Sequence, residues 1–385
     1  MSNSLGVLNL ETHTGSMAKK KKSKDSAEGS SHGARIPAQR QIDKLDREIL
    51  ALMNRRAELA RKRSQNSQAD SPDLRLALEH VVELGASDKN PLSADTVRSV
   101  FREIISGTQA ASNRTRVAYL GPEFTYSHLA AIERFGQSAE LVPVATIAAV
   151  FEEVERGHAD YGLVPIENST DGRVADALEC LARSPVQICG EVPLRIRHCL
   201  LANCGRNEIE RVYSKRQPLS QCRNWLSKHL PDVQLIEVSS SAEAARKAAA
   251  EPGSAAIASQ QAGVNHGVAA LTLGIEDNSD NVTRFAVIGM EIGKKTGKDK
   301  TAIVFEIDHQ PGALADAMGI FKRQKLNMTW IESFPLPGQR GSYLFFVEFQ
   351  GHASQLRARR ALAALEKRAL RLTVLGSYAQ TEPIG

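Results

Sequence analysis

At 385 residues the chain exceeds one ordinary domain, and two or three are expected. Hydrophobic residues at 42% and charged residues at 24% suit a soluble globular protein, and no window reaches the apolar length of a membrane span or shows a signal peptide's core and cleavage site. Much of the formal +5 charge comes from one run, Lys19 to Lys22 with Lys24, which has no interleaved aromatics for base stacking, so neither nucleic acid nor a membrane is expected as a partner.

The leader, residues 1–36, is rich in Ser, Gly and Lys without periodicity and is expected to be disordered; Met17 is a second candidate start. Five cysteines (Cys180, Cys189, Cys199, Cys204, Cys222) make an odd count without a C-x-x-C, which argues against a zinc site or a disulfide framework and suits a reducing cytoplasm.

From about 38 to 66, Ile42, Leu45, Ile49, Leu52 and Leu59 recur at spacings of three and four, one helical stripe. Arg56 occupies the seam between Leu52 and Leu59, either as a snorkelling or interface arginine or as a ligand-facing one. Helices follow at about 73–85 and 94–106, the latter with Ser93 as N-cap. Three helices in so short a segment give a small core, so pairing with a second chain is expected.

After Asn113-Arg114-Thr115 the period changes. Strands at 117–120, 141–144, 161–166, 197–202, 209–214, 233–238, 255–259 and 284–289 alternate with helices at about 127–135 and 146–156, a third N-capped by Ser220, and a fourth opened by a Ser240/Glu243 capping box. This predicts a parallel α/β sheet arranged as two lobes around a cleft, where ligands bind at strand ends. Four strand-end segments are polar: Gly121-Pro122-Glu123-Phe124-Thr125-Tyr126-Ser127-His128, Val164-Pro165-Ile166-Glu167-Asn168-Ser169-Thr170-Asp171-Gly172, Tyr213-Ser214 with Gln221, and Asn281-Val282-Thr283-Arg284-Phe285. Singly each reads as turn and cap chemistry; together they point to a site for a small dicarboxylate. His128 is expected to be a helix-start residue rather than a base. Past a Lys- and Gly-rich linker at 291–300, strands and helices in the order βαββαβ predict a ferredoxin-like sandwich.

These segments resemble the bifunctional chorismate mutase/prephenate dehydratase family. The resemblance implies a multidomain chain: an all-α chorismate mutase-like domain at 37–113, a two-lobed, periplasmic-binding-protein-like α/β dehydratase domain at 116–290, and an α+β ACT domain at 300–380. Its most specific motifs are G-P-E-F-T-Y-S-H-L-A-A, V-P-I-E-N-S and T-R-F. It implies that Thr283 is the catalytic hydroxyl, with Glu167 as the alternative acid, and that Asn168, Ser169, Thr170, Ser214, Gln221, Arg284 and Phe285 line the substrate pocket. The implied reaction converts prephenate to phenylpyruvate, water and CO2; aromatisation drives it, so no cofactor or metal is needed. Lys215-Arg216 replaces a His-Pro common in relatives.

In the helical domain Arg56 matches the family's pocket, but Gln39, Ser67, Asp73, Leu74 and Ser112 stand where donors or acids are expected, so the fold is expected with little mutase activity. In the ACT-like domain, Gly312-Ala313-Leu314 matches the family's effector motif, whereas Glu332-Ser333-Phe334-Pro335 lacks the arginine of a second one; these and Asn327 are the implied phenylalanine-binding residues, between subunits of a homodimer or higher homo-oligomer. Two alternatives stand beside this reading: arogenate dehydratase, or a non-catalytic amino-acid-sensing protein.

Overall fold

The computed structural model describes residues 32–66, 74–85, 91–335 and 343–384. Residues 1–31 of the expected leader, and Ser67 and Asp73 of the helical domain, lie outside the described residues. Helix α1 (His32–Asn66) starts earlier than its apolar stripe. Contacts divide the chain into two units, 1–53 and 54–385. In the first, Ile42, Leu45, Ile49 and Leu52 are all about half exposed or more. In the second, α2 (Leu74–Gly85) and α3 (Ala94–Ala110) bury Leu78 and Ile105 against Ala77 and Phe101. Ser93 caps α3 by accepting from the Thr96 amide at 3.2 Å.

The first sheet is built from β1 (Arg116–Leu120), β2 (Glu140–Val144) and β3 (Tyr161–Asn168), connected through α4 (Tyr126–Phe135) and α5 (Ile147–Glu155). A short β4 (Gly172–Arg173), α6 (Ala175–Arg183) and β5 (Gln187–Arg195) follow. The chain then crosses to a second sheet made of β6 (Cys199–Ala202), β7 (Arg211–Ser214), β8 (Gln234–Glu237), β9 (Ser254–Ala258) and β10 (Ala270–Leu273). Helices α7 (Arg216–Gln221), α8 (Arg223–His229), α9 (Ser241–Ala250) and α10 (Gln260–His266) alternate with these strands. It returns as β11 (Val282–Gly289) to the first sheet, whose order is β2-β1-β3-β11-β5 with β4 beside β3. Two crossings, before β6 and before β11, are what a cleft between two lobes requires.

Four details depart from the sequence reading. The first sheet is mixed, because β11 runs antiparallel to both neighbours. Strand β5 has no counterpart in the apolar pattern, since Glu191 and Pro193 interrupt it. Ser220 lies inside α7 rather than capping α8, which Cys222 precedes. At α9, Ser240 accepts from the Glu243 amide at 3.0 Å as expected, but the Glu243 carboxylate returns to the Ser239 amide one residue earlier.

The C-terminal module is β12 (Asp299–Glu306), α11 (Ala313–Gln324), β13 (Met328–Pro335), β14 (Tyr343–Gln350), α12 (Leu356–Glu366) and β15 (Arg371–Ala379). Its antiparallel order β13-β14-β12-β15 is that of a ferredoxin-like sandwich. One face packs on its own helices through Ile303, Phe305, Val347 and Phe349. The other shares a core with the first sheet: Ala302, Val304, Phe346 and Tyr378 meet Val164, Ile166, Ala286 and Ile288. The seam is closest where Gly376 crosses β5. A Cβ there would lie 2.1 Å from the Ile188 carbonyl, so only glycine fits. The stretch 291–300, expected as a plain linker, is pinned in the same seam, since a Cβ on Gly293 would lie 2.7 Å from the Ser377 carbonyl.

Candidate functional site

The site begins with a bulge. Along β3 and β11, Thr283 pairs with Asn168 and Arg284 with Glu167, but Phe285 pairs with Pro165, leaving Ile166 extra. One extra residue reverses the parity of everything beyond it. Asn168 therefore shares a face with Thr283, and Glu167 is turned to the opposite face with Arg284.

On the cleft face, Asn168 Nδ2 donates to Thr283 Oγ1 at 2.8 Å and to Asn281 Oδ1 at 2.9 Å. Its Oδ1 accepts from the Thr170 and Asp171 amides at 2.9 and 3.1 Å, which fixes the amide's orientation. Thr283 therefore receives a hydrogen bond and retains its own proton, and it is only partly buried. From Asn281 the network crosses to the second lobe. Asn281 Nδ2 donates to Gln221 Oε1 at 3.1 Å, Gln221 Nε2 donates to Asp171 Oδ2 at 2.9 Å, and His198 Nε2 lies 2.8 Å from the same Oε1. Since that oxygen only accepts, Nε2 of His198 carries a proton. Tyr126 OH reaches His198 Nδ1 at 3.1 Å and donates to the Arg197 carbonyl at 2.7 Å.

Ser169 clamps the start of β11, its Oγ accepting from the Val282 amide at 3.0 Å, and Thr170 stands exposed on the same turn. Other expected pocket residues are placed elsewhere. Ser214 is fully buried and donates to the Ile257 carbonyl at 2.8 Å. Phe285 packs in the core with Tyr119, Leu163 and Val192. His128 accepts from the Phe124 amide at 3.0 Å and stacks on Tyr119, the helix-start role expected of it.

Arg284, expected to line the substrate pocket, points away from the cleft. Nη1 donates to Glu167 Oε2 at 2.7 Å; Nη2 donates to Glu191 Oε2 at 3.0 Å and to both Glu348 oxygens at 2.9 Å. Its guanidinium lies 5.3 Å from the Trp330 ring centre. Lys300 also pairs with Glu191 at 3.0 Å, and Tyr378 donates to Glu348. Burial disfavours the guanidinium's charge, yet Glu348, Tyr378 and Glu191 outweigh it and hold its pKa above the ordinary arginine value. Thus Glu167 is an ion-pair partner on the far face, which removes it from the acid role. In the C-terminal module, strand alternation likewise turns Glu332 towards the first sheet, where Arg173 donates to it at 3.0 Å and to the Ser333 carbonyl at 2.7 Å. Gly312, with φ of 87° and open space around it, N-caps α11; Leu314 and Asn327 are exposed, and Ala313 is half-buried.

Sequence reasoning missed Asn281, His198, Tyr126 and Asp171 as members of the network. Tyr126 and Asp171 sit inside motifs already singled out, whereas His198 follows Arg195-Ile196-Arg197, a segment that reads as an ordinary strand edge. Burial holds the imidazoles of His198 and His128 below their usual pKa, with the Gln221 bond and Glu276 opposing this at His198 and Glu123 at His128. Below about pH 6.5 the unfolded chain takes up protons that these native imidazoles resist, so stability falls with acidification. Thermal melts at pH 7.5 and 5.5 should show this loss, and His198→Gln should reduce it.

In the helical part, Arg56 donates to Thr108 Oγ1 of α3, and Thr108 in turn donates to the Ile104 carbonyl at 2.8 Å. The arginine is thus turned towards α3, and Thr108 is a pocket candidate that the sequence reading did not name. Among the described residues no His, Cys, Asp and Glu cluster could hold a metal ion.

Comparison with known proteins agrees with this arrangement. Residues 117–292 match the prephenate dehydratase family model and residues 38–111 the model for chorismate mutase type II. A bifunctional chorismate mutase/prephenate dehydratase of Aquifex aeolicus is 40% identical over 347 residues, covering 88% of this chain and 96% of the relative. An arogenate dehydratase of Petunia hybrida is 38% identical over 78% of this chain and 80% of its own length. The structure of a prephenate dehydratase from Arthrobacter aurescens in complex with L-Phe superposes with a TM-score of 0.64 at 31% identity, covering 69% of this chain and 90% of that one. With both family models in chain order and a relative matched along nearly its whole length, the chain belongs to the bifunctional chorismate mutase/prephenate dehydratase family.

Proposed function

We propose that the chain converts prephenate to phenylpyruvate, water and CO2, with Thr283 as the residue that touches the reacting atoms. The observation that carries this is the locked Asn168 amide, which donates to Thr283 Oγ1 and so leaves the threonine proton for a ligand in the cleft. The bond from ring to carboxylate breaks and its electron pair enters the ring; the bond from ring carbon to hydroxyl breaks and its pair leaves on oxygen. Thr283 donates a hydrogen bond to that oxygen as charge develops on it, and one proton from solvent completes the water. Amides at the start of α4, where Thr125 makes no side-chain cap, are suited to a carboxylate. The Asn281–Gln221–His198 chain ties the lobes beside the site.

The C-terminal module is read as an ACT domain that binds phenylalanine near Gly312, Ala313, Leu314, Asn327 and Ser333, a reading supported by the L-Phe complex of the Arthrobacter relative. Pairing with a second chain through the exposed α1 stripe makes a homodimer or higher homo-oligomer. The cytoplasm suits the five free cysteines.

Arogenate dehydratase is the second reading, favoured by the Petunia relative. The test is kcat/KM of the full chain for prephenate against arogenate, read as phenylpyruvate and phenylalanine formed. Preference for prephenate supports the proposal; preference for arogenate moves it to the second reading. Binding without turnover of either makes the chain a sensor. For the helical domain, the missing donors at Gln39 and Ser112 lead to an expected chorismate turnover at least about a hundredfold below that of a fully furnished mutase, at a few kcal/mol per lost charge-assisted bond. Loss of chorismate absorbance in the presence of full-length protein checks it.

A further inference from the structure

We propose that Arg284 is a positioning residue through which the C-terminal module sets the aim of the Thr283 hydroxyl, with Glu348 as the module's hold on it. The enzymatic part of this rests on the dehydratase reading above. Thr283 and Arg284 are chain neighbours on opposite faces of β11, so any twist of the strand that displaces the guanidinium also displaces the hydroxyl. The guanidinium is held from two sides. Glu167 belongs to its own sheet, whereas Glu348, fully buried, and Trp330 belong to the module.

The pairing register extends the pattern. Arg173, Glu167 and Arg284 stand opposite one another across β4, β3 and β11, and the adjoining row on the same strands is Gly172, Asn168 and Thr283. Each member of the second row is thus next in sequence to a member of the first. Both arginines of the first row end on the module, Arg173 at Glu332 and Arg284 at Glu348. The module also holds β5, through the Gly376 crossing and through a tail in which the Arg195 amide donates to the Ile384 carbonyl at 2.8 Å. Strands β5 and β11 are the two that lead into and out of the second lobe, so the module grips both ends of the hinge.

Stability alone does not call for buried ions in this seam, because an apolar filling of the same volume serves as well or better. What a fork with partners on two bodies adds is a fixed geometry between them, with packed interfaces switching between discrete arrangements rather than yielding gradually.

The experiment compares full-length wild type, Glu348→Gln, Arg284→Lys and the double variant. It measures kcat and KM for prephenate and hydrogen exchange of segment 281–285, each with and without L-phenylalanine. Glutamine keeps the shape of Glu348, and lysine keeps the charge of Arg284 without its fork. Each single change is expected to lower kcat about tenfold with KM within about twofold, to speed exchange at 281–285, and to weaken the response to L-phenylalanine at least about fivefold. The double variant should be no worse than the poorer single, since both break one device. A raised KM at unchanged kcat in Arg284→Lys would make Arg284 a substrate anchor and overturn the proposal, as would losses that multiply in the double variant or singles that match wild type. If wild type turns over no prephenate, the dehydratase reading fails separately and exchange alone decides: faster in Glu348→Gln than in wild type supports the coupling, equal rates overturn it.

Discussion

Replacing Thr283 by alanine is expected to lower kcat for phenylpyruvate formation at least about a hundredfold with KM within a few fold, the loss of one donor aimed at charge that develops only in the transition state. Thr283→Ser should retain most of the activity, because Asn168 Nδ2 can still donate to the remaining hydroxyl. The threonine is only half-buried and its partner is an amide, so neither substitution strips a buried group of its charge, and both proteins should melt close to wild type. Steady-state kinetics with purified variants decides the matter. Equal kcat for Thr283→Ala and wild type would take the chemistry away from this strand end.

The neighbouring residue behaves in the opposite way. Arg284→Met is expected to destabilise the fold by about 3–5 kcal/mol, the usual cost of leaving buried carboxylates without their cation. Glu348 is fully buried and Glu191 nearly so, and without Arg284 they and Glu167 lose a shared cation, Lys300 still pairing with Glu191. Urea denaturation of the two proteins reads this directly. Changing Glu348→Gln as well should restore part of the loss, since one uncompensated charge is then gone.

Period and cap chemistry made most elements legible. Ser93 and Thr146 cap the helices they precede, and the change from helical to strand period after Thr115 marks where the first sheet begins. Strand β5 was hidden because Glu191 and Pro193 break its apolar run, and that break is itself functional: Glu191 is there to meet Arg284 and Lys300. The site was legible as a set of segments but not as a set of faces. Whether Glu167 or Asn168 looks into the cleft depends on one bulge, and spacing alone cannot show a bulge. A signal was present in Pro165, because proline inside a central strand marks irregular pairing. A second lay in Tyr343-Leu344-Phe345-Phe346-Val347-Glu348-Phe349, where a carboxylate in an apolar strand demands a buried cation. Asking which cation would have found Arg284 and withdrawn it from the substrate pocket.

Alternation along β11 also separates two histories that the tripeptide Thr283-Arg284-Phe285 joins. Among relatives, the threonine should change only when position 168 and the substrate change, whereas the arginine beside it should drift in company with position 348. On the coupling proposed above, control and turnover move together at this seam, so variants with an altered response to phenylalanine that map to what Arg284 touches there should also have a changed kcat.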